Sequence, residues 1–317
     1  MSATERLPVL YLGGIGRSGS TLLERMIGEL PGVCSLGEVV HMWDRALRDD
    51  ERCGCGEPFS GCPFWQAVGE RAFGGWENVA VARHFELRAR VDDVRRTPAL
   101  LFGTFGRSFQ RDVEEYTDYF QMVYEAARDV SGAELIVDSS KYTPLFFCLR
   151  RRDDLDLRLL HLIRDSRAVA YSWTKVVRRP EVVGGEDFMY RISPGRMALL
   201  WSVHNTLLAL PRFAGTPTRT LRYEDFARDP DSALREVAAF VGLDLGSDAL
   251  DFLDRDSVRL STSHQVAGNP LRFTTGEVQI RRDDAWRTKF AAADRRRVAL
   301  LTAPVSAVFG YSPFRSA

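Results

Sequence analysis

The 317-residue chain reads as an α/β protein: a P-loop-type parallel β-sheet flanked by helices, with helical insertions. Three observations predict this. First, the apolar run 9–12 leads into Gly14-Ile-Gly-Arg-Ser-Gly-Ser-Thr21, and Leu22, Leu23, Met26, Ile27 and Leu30 then recur at helical spacing. Strand, glycine loop and helix form the unit in which such a loop has mechanical meaning. Second, apolar runs at 135–137 and 157–163, and the segment Arg219–Arg222 that reads as a fourth strand, alternate with helical segments, the pattern of a parallel sheet covered on both faces. Third, polar clusters at 13–21, 138–141 and 164–172 each follow one of these strands. Open α/β sheets bind ligands beyond the carboxyl ends of their strands.

The remaining elements follow in order. Pro31-Gly32 stops the first helix. Residues 53–130 carry few strand signals and read as a helical insertion; 179–195 read as a mobile loop before a helix at 196–210. Helices are also expected over about 167–177 and 231–241. No repeat or low-complexity tract divides the chain, so 1–317 reads as one domain with 53–130 and 179–195 on the acceptor side.

Formal net charge is zero, so nothing global points to nucleic acid or an anionic membrane, and an anion site must come from local geometry. No apolar run reaches the length of a membrane span, and the N-terminus has no hydrophobic signal core. Five cysteines, an odd number, fit a reducing compartment, and the expectation is a cytoplasmic protein. The cations are almost all arginine, with lysine only at Lys141, Lys175 and Lys289, the usage of a GC-rich, bacterial genome.

The glycine loop departs from G-x-x-x-x-G-K-[ST] at one place. Ser20 holds the lysine position, and the nearest cation, Arg17, stands three residues earlier. A loop entering a helix points backbone N–H groups at an anion, and the helix dipole adds to the attraction. Ser18, Ser20 and Thr21 supply hydroxyls, and Arg17 a fork matched to oxyanions. Without the lysine, triphosphate chemistry is less well served. A single phosphate carrying a less charged group needs less neutralisation, and a 5′-phosphosulfate answers that description. The plainer alternative is a turn with no ligand.

In "LLHLIRDSRAVAYSW", Arg164 ends a strand and Ser172 lies eight residues on. They converge on one anion only if the chain reverses between them, which Asp165-Ser166 allows as turn and helix cap. Taken together, these residues resemble the sulfotransferases that use 3′-phosphoadenosine-5′-phosphosulfate (PAPS). Gly16, Arg17, Ser18, Gly19, Ser20, Thr21 and Leu22 look like the family's 5′-phosphosulfate loop, and Arg164 with Ser172 like its 3′-phosphate pair. Leu221-Arg-Tyr-Glu-Asp-Phe226 is similar to the family's segment in which a tyrosine, here Tyr223, lies near the nucleotide. The run 264–273, including Gly268, Asn269 and Arg272, with Trp286 and Arg287 downstream, looks like the loop that closes over the 3′-phosphate. The pattern is nearer the carbohydrate and tyrosyl-protein branch than the phenol and steroid branch. The resemblance implies PAPS as donor, no metal requirement, and a small-molecule, carbohydrate or glycosylated natural-product acceptor with a hydroxyl.

An acceptor hydroxyl must lose its proton. Glu38, in "SLGEVVHMWDR", is the candidate base; its spacing from Arg17 is similar to that of the glutamate in tyrosyl-protein sulfotransferases. The alternative for Glu38 is a helix cap. His41, one turn on, is the second candidate base. Lys141, after a strand end, would reach the sulfonate or the acceptor, with Asp138 orienting it. Trp201 and Asn205 share a helix face, and Phe102, Phe105, Phe109, Tyr116, Tyr119 and Phe120 suit either an apolar acceptor or a helical core. Cys53, Cys55 and Cys62 follow C-x-C-x6-C, not a standard zinc spacing; a fourth ligand would be sought in Cys34, His41 or His84. No metal is expected, and small buried thiols or a local disulfide are the alternatives. Two other functions compete: a P-loop small-molecule kinase and a non-catalytic nucleotide-binding protein. The acceptor and the oligomeric state are not legible.

Overall fold

The computed structural model describes residues 6–178 and 188–312. The first nine residues of the expected 179–195 loop therefore lie outside the described residues.

Five strands, β1 (Leu7–Gly14), β2 (Val33–Ser35), β3 (Leu135–Lys141), β4 (Leu155–Ile163) and β5 (Thr218–Arg222), form one parallel sheet in the order β2-β3-β1-β4-β5. β1 lies at the centre, so its side chains alternate between two covered faces. Val9 and Tyr11 join one core; Leu10 and Leu12 join the other. The β1–β3 register is not continuous: Tyr11 pairs with Asp138, but Gly13 pairs with Lys141. β3 thus carries an extra residue against β1, and such a bulge re-aims the side chains beyond it. The re-aimed residue is Lys141, whose φ of 60° is left-handed.

The helix after the glycine loop, α1 (Ser20–Ile27), covers the Leu10/Leu12 face. Four helices fill the insertion between β2 and β3: α2 (Pro63–Phe73), α3 (Val81–Val91), α4 (Thr97–Phe102) and the long α5 (Arg107–Ser131). Their apolar residues pack on the Val9/Tyr11 face. This decides the aromatic set. Tyr116 and Phe120 are fully buried core, Phe105, Phe109 and Tyr119 pack against that core, and Phe102 is exposed.

Beyond β3 run α6 (Thr143–Leu149), α7 (Ser166–Ser172), α8 (Pro194–Ala209), the one-turn α9 (Tyr223–Phe226) and α10 (Pro230–Val241). The chain ends with an antiparallel ribbon, β6 (Ser257–Leu260) with β7 (Gly276–Gln279), then α11 (Trp286–Lys289) and α12 (Ala292–Val308). No helix among the described residues is long and apolar enough to cross a membrane.

Three features differ from the sequence expectation. Neither β2 nor the β6–β7 ribbon carries a strand signal in the sequence. The helix expected over 167–177 stops at Ser172, where the backbone bonds tighten to i−3 (Thr174 to Tyr171, Lys175 to Ser172), and Trp173 donates its indole N–H to the Gly16 carbonyl at 3.0 Å. The Asp165 cap is as expected: its side chain accepts from the Arg167 amide at 2.9 Å.

Candidate active site

The glycine loop joins β1 to α1 at the carboxyl end of the sheet. Gly19 has φ 89°, and a Cβ there would lie 2.5 Å from the Tyr223 ring, so only glycine fits. Arg17 is also left-handed, at φ 73°, a strained state for a residue with a side chain. Its guanidinium lies 5.4 Å from the Trp173 ring and donates to the Met189 sulfur at 2.8 Å. Two buried donors here, Arg17 Nε and Ser18 Oγ, have no hydrogen-bond partner among the described residues. Buried polar groups are rarely left so. A bound oxyanion would satisfy both.

Across the sheet end, Lys141 Nζ donates to Glu38 Oε1 at 2.6 Å, with both side chains largely buried. Burial works against the Glu38 charge, but Lys141, His41 and Arg45 outweigh it and hold the carboxyl below its usual value. Burial lowers the Arg17 pKa from its usual value, with Glu38 opposing. The three groups therefore share one electrostatic site. Glu38 precedes the short 3₁₀ turn Val39–His41, and its side chain makes no cap bond there. His41 Nε2 stands 3.9 Å from Glu38 Oε2, and its Nδ1 3.8 Å from Asp44. Asp138 does not orient Lys141: it is fully buried and accepts from Tyr124 Oη at 2.5 Å and from the Ser140 amide at 2.6 Å.

Arg164 lies against the same loop. Its guanidinium donates to the Arg17 carbonyl at 3.0 Å and the Asp283 carbonyl at 3.1 Å, and it stacks 4.3 Å above the Tyr223 ring. A cleft here is lined by Arg164, Tyr223, Arg282, Asp283, Trp286 and Arg287. Asp283 pairs with Arg164 at 3.5 Å and Lys175 at 3.2 Å, a carboxylate held between two cations. Lys175 and Asp283 were not singled out as site residues from sequence; the one available signal was that Lys175 follows Ser172 by three positions. Ser172 closes α7 and its hydroxyl makes no hydrogen bond to Arg164 among the described residues. Trp201 is core, donating its indole N–H to the Arg164 carbonyl at 3.0 Å, and Asn205 bonds His161 at 2.8 Å.

The run 264–273, expected to close over the 3′-phosphate, makes contacts with Glu38 and with the 53–62 loop. Arg272 is fully buried and donates to the carbonyls of Gly268 at 3.0 Å and Arg52 at 3.3 Å. Asn269 Oδ1 accepts from the Leu271 amide at 3.1 Å, capping a turn. Gly268, at φ 91°, touches Glu38: a Cβ there would be 2.9 Å from Glu38 Oε1. Among the described residues Arg282, Asp283, Asp284, Trp286 and Arg287 line the Arg164 cleft, while Val266 and Gly268 stand against Glu38.

The cysteines also differ from expectation. The side chain that joins Cys53, Cys55 and Cys62 is His264. His84 is buried among Trp43, Tyr116, Tyr119 and Phe120, His41 stands on Glu38, and Cys34 lies on β2.

The chain belongs to the sulfotransferase domain family, whose model matches residues 114–282, just over half of it. That match includes Lys141, Arg164, Ser172 and Tyr223; the glycine loop and Glu38 precede it and are joined to it by the sheet. Among curated proteins, the chain is 28% identical over 174 residues to carbohydrate sulfotransferase 5 of Mus musculus, covering 51% of this chain and 43% of that one. It is 27% identical over 209 residues to carbohydrate sulfotransferase 6 of Homo sapiens, covering 62% and 52%. The chain thus spans about half the length of the curated relatives it matches. Among solved structures, the sulfotransferase domain of the Synechococcus PCC 7002 olefin synthase superposes with TM-score 0.54 at 20% identity, covering 98% of each chain. The sulfotransferase domain from the curacin biosynthetic pathway gives TM-score 0.51 at 16% identity, covering 97% of this chain and 99% of that one. These two likenesses establish the fold.

Proposed function

We propose that this protein transfers the sulfonate of PAPS to a hydroxyl of a carbohydrate or other small-molecule acceptor, with Glu38 as the base. The observation that carries this reading is the convergence of Arg17, Lys141 and Glu38 beside the glycine loop. The unsatisfied Arg17 Nε, Ser18 Oγ and Arg164 Nε are donors that suit two anionic groups of such a nucleotide. The carbohydrate class of acceptor rests on the names of the two curated relatives. The bacterial cytoplasm read from the sequence belongs to the same proposal.

In this reading the loop amides of Gly16 to Thr21, Leu22 at the start of α1, and Arg17 hold the 5′-phosphosulfate, while Arg164, Ser172, Lys175 and Tyr223 hold the 3′-phosphoadenosine end. Gly268 abuts the Glu38 carboxylate, and Asn269 and Arg272 brace the turn that carries it, so in this reading they support Glu38. PAPS supplies an activated sulfonate on an anionic leaving group. Lys141 moves from Glu38 to the sulfonate oxygens as charge gathers there. Glu38, released from its cation, regains basicity and takes the acceptor hydroxyl proton. The acceptor oxygen–sulfur bond forms as the sulfur–phosphate oxygen bond breaks. Arg17 and the loop N–H groups stabilise the departing 5′-phosphate, and His41 flanks Glu38. Positioning and electrostatics do most of the catalysis, as in phosphoryl transfer.

The test combines binding and turnover. Saturating adenosine 3′,5′-bisphosphate should stabilise the protein by about 2.7 kcal/mol at a hundred times its Kd. Incubation of PAPS with hydroxylated sugars should yield a sulfate ester, and Glu38→Gln should cut that rate by about 10²–10⁴ while leaving bisphosphate binding intact. Stabilisation by Mg²⁺–ATP instead of the bisphosphate would overturn the reading in favour of a kinase. Bisphosphate binding with no transfer to any acceptor would make it a nucleotide-binding protein.

A further inference from the structure

The cysteine cluster is built from distant pieces of chain. Cys62 Sγ stands 3.6 Å from Cys53 Sγ, 3.8 Å from Cys55 Sγ and 3.2 Å from His264 Nδ1. Cys53 Sγ is 3.8 Å from the same nitrogen, and all four atoms lie within 4.8 Å of one another. Zinc–sulfur bonds of about 2.3 Å and zinc–nitrogen bonds of about 2.0–2.1 Å at tetrahedral angles place sulfurs about 3.8 Å apart, and sulfur about 3.6 Å from nitrogen. The two sulfur–sulfur distances match that geometry. A disulfide would require about 2.05 Å between two of these sulfurs, and the cysteines stand free.

The backbone around them is shaped for the cluster. Cys53 and Cys55 lie on a tight turn closed by the Gly56 amide on the Cys53 carbonyl at 2.9 Å, with Gly56 at φ 95°. Gly54 donates to the Gln265 carbonyl at 3.0 Å, and a Cβ at Gly54 would stand 2.8 Å from the Ser263 carbonyl oxygen. Only glycine brings this turn so close to His264. Cys62 sits at the N-terminus of α2, where the helix dipole favours a thiolate. The His264 ring is fixed by stacking on Phe64, with centroids 5.1 Å apart, and its carbonyl accepts the Trp65 indole N–H at 2.7 Å.

We propose that Cys53, Cys55, Cys62 and His264 bind one structural Zn²⁺. Three thiolates and an imidazole are a closed donor set of the kind that selects zinc over harder cations. No open position is left for substrate, so the ion acts through the fold. It ties the 53–62 loop to a segment about 200 residues away. That segment is an arm of the active site. Val266, two residues on, donates to Leu36 and accepts from the Glu38 amide, each at 2.9 Å, and Gly268 abuts the Glu38 carboxylate. The ion therefore fixes the wall against which Glu38 is held.

This proposal does not depend on the transfer reading, because metal content is measured without activity. The full chain, purified without a histidine tag, should contain about one zinc per molecule by elemental analysis, given its four ligands. A mercurial thiol reagent should release that zinc to a colorimetric chelator. Cobalt in its place should give thiolate-to-metal charge transfer and the intense visible bands of a tetrahedral site. Cys55→Ala should lose the metal and lower the melting temperature. Cys55→His, which keeps a ligand, should retain it, so that a failure of the alanine variant to fold does not decide the matter. A wild-type chain that binds neither zinc nor cobalt under reducing conditions overturns the proposal. A mass lighter by two hydrogens, marking a disulfide among these cysteines in freshly purified protein, overturns it as well.

Discussion

Lys141 and Glu38, 103 positions apart in the chain, meet as a largely buried ion pair of 2.6 Å at the carboxyl end of the sheet. The pair exists because the β3 bulge turns Lys141 toward the loop that carries Glu38. It sets the protonation of the proposed base. With Lys141 in place, Glu38 is ionised down to below the usual glutamate range.

Lys141→Met removes the strongest opposition to burial at Glu38, so the Glu38 pKa must rise. A carboxylate base works only above its pKa, so the acid limb of a kcat/KM–pH profile should move to higher pH in this variant. The maximal rate should also fall, by about 10²–10³ if Lys141 stabilises the transferring sulfonate as such donors do elsewhere. A profile whose acid limb stays in place would show that Glu38 is not the group that titrates.

Arg164 and Asp283 give opposite expectations. Arg164→Ala removes charge-assisted bonds, each about 1.5–3 kcal/mol, and should raise the Kd for adenosine 3′,5′-bisphosphate by about 10–100-fold. Asp283 stands between Arg164 and Lys175, in the place a phosphate would take. Asp283→Ala should therefore bind the bisphosphate more tightly than the wild type. If calorimetry finds both variants weakened alike, the cleft does not serve the 3′-phosphate.

Glu24 on α1 is fully buried and accepts from Ser139 Oγ at 2.5 Å, the Gly37 amide at 2.8 Å and Ser35 Oγ at 3.0 Å. Burial outweighs these bonds and raises its pKa from 4.5 to about 7. Between those values the native state keeps a proton that the unfolded chain has lost, so stability falls as pH rises through that window. Asp92 and Asp138, each raised by burial to about 6, act in the same direction. Glu24→Gln should flatten the decline by on the order of 3 kcal/mol across the window, measured by urea unfolding at a series of pH values. An unchanged slope would mean that Glu24 is ionised throughout.

The strands that bury both faces were legible as apolar runs, because a central parallel strand must be apolar on each side. β1, β3 and β4 are of this kind, whereas β5 lies at an edge with Leu221 as its one buried residue. β2 was not legible, since its three residues, Val33–Ser35, are too few to form an apolar run. The β6–β7 ribbon joins two four-residue segments across an intervening loop that includes the Glu38 wall, and neither has a turn signal to mark a hairpin. The site divides in the same way. Arg17 and Arg164 were legible because each follows a strand, and that placement is local. His264 as partner of Cys62 was not, because 202 positions separate them and no spacing rule spans that distance.

The sequence alone determined four of the five strands of the sheet, the glycine loop, and the residues that follow those strands, because hydrophobic periodicity and turn chemistry act over a few residues. The tertiary structure alone decided which of those residues meet. It paired Lys141 with Glu38 through a bulge, set Asp283 against Arg164, moved Arg272 into the interior, and gathered three thiols around His264. Such pairings depend on how distant segments pack against a shared core, and packing is a property of the whole chain rather than of any stretch within it.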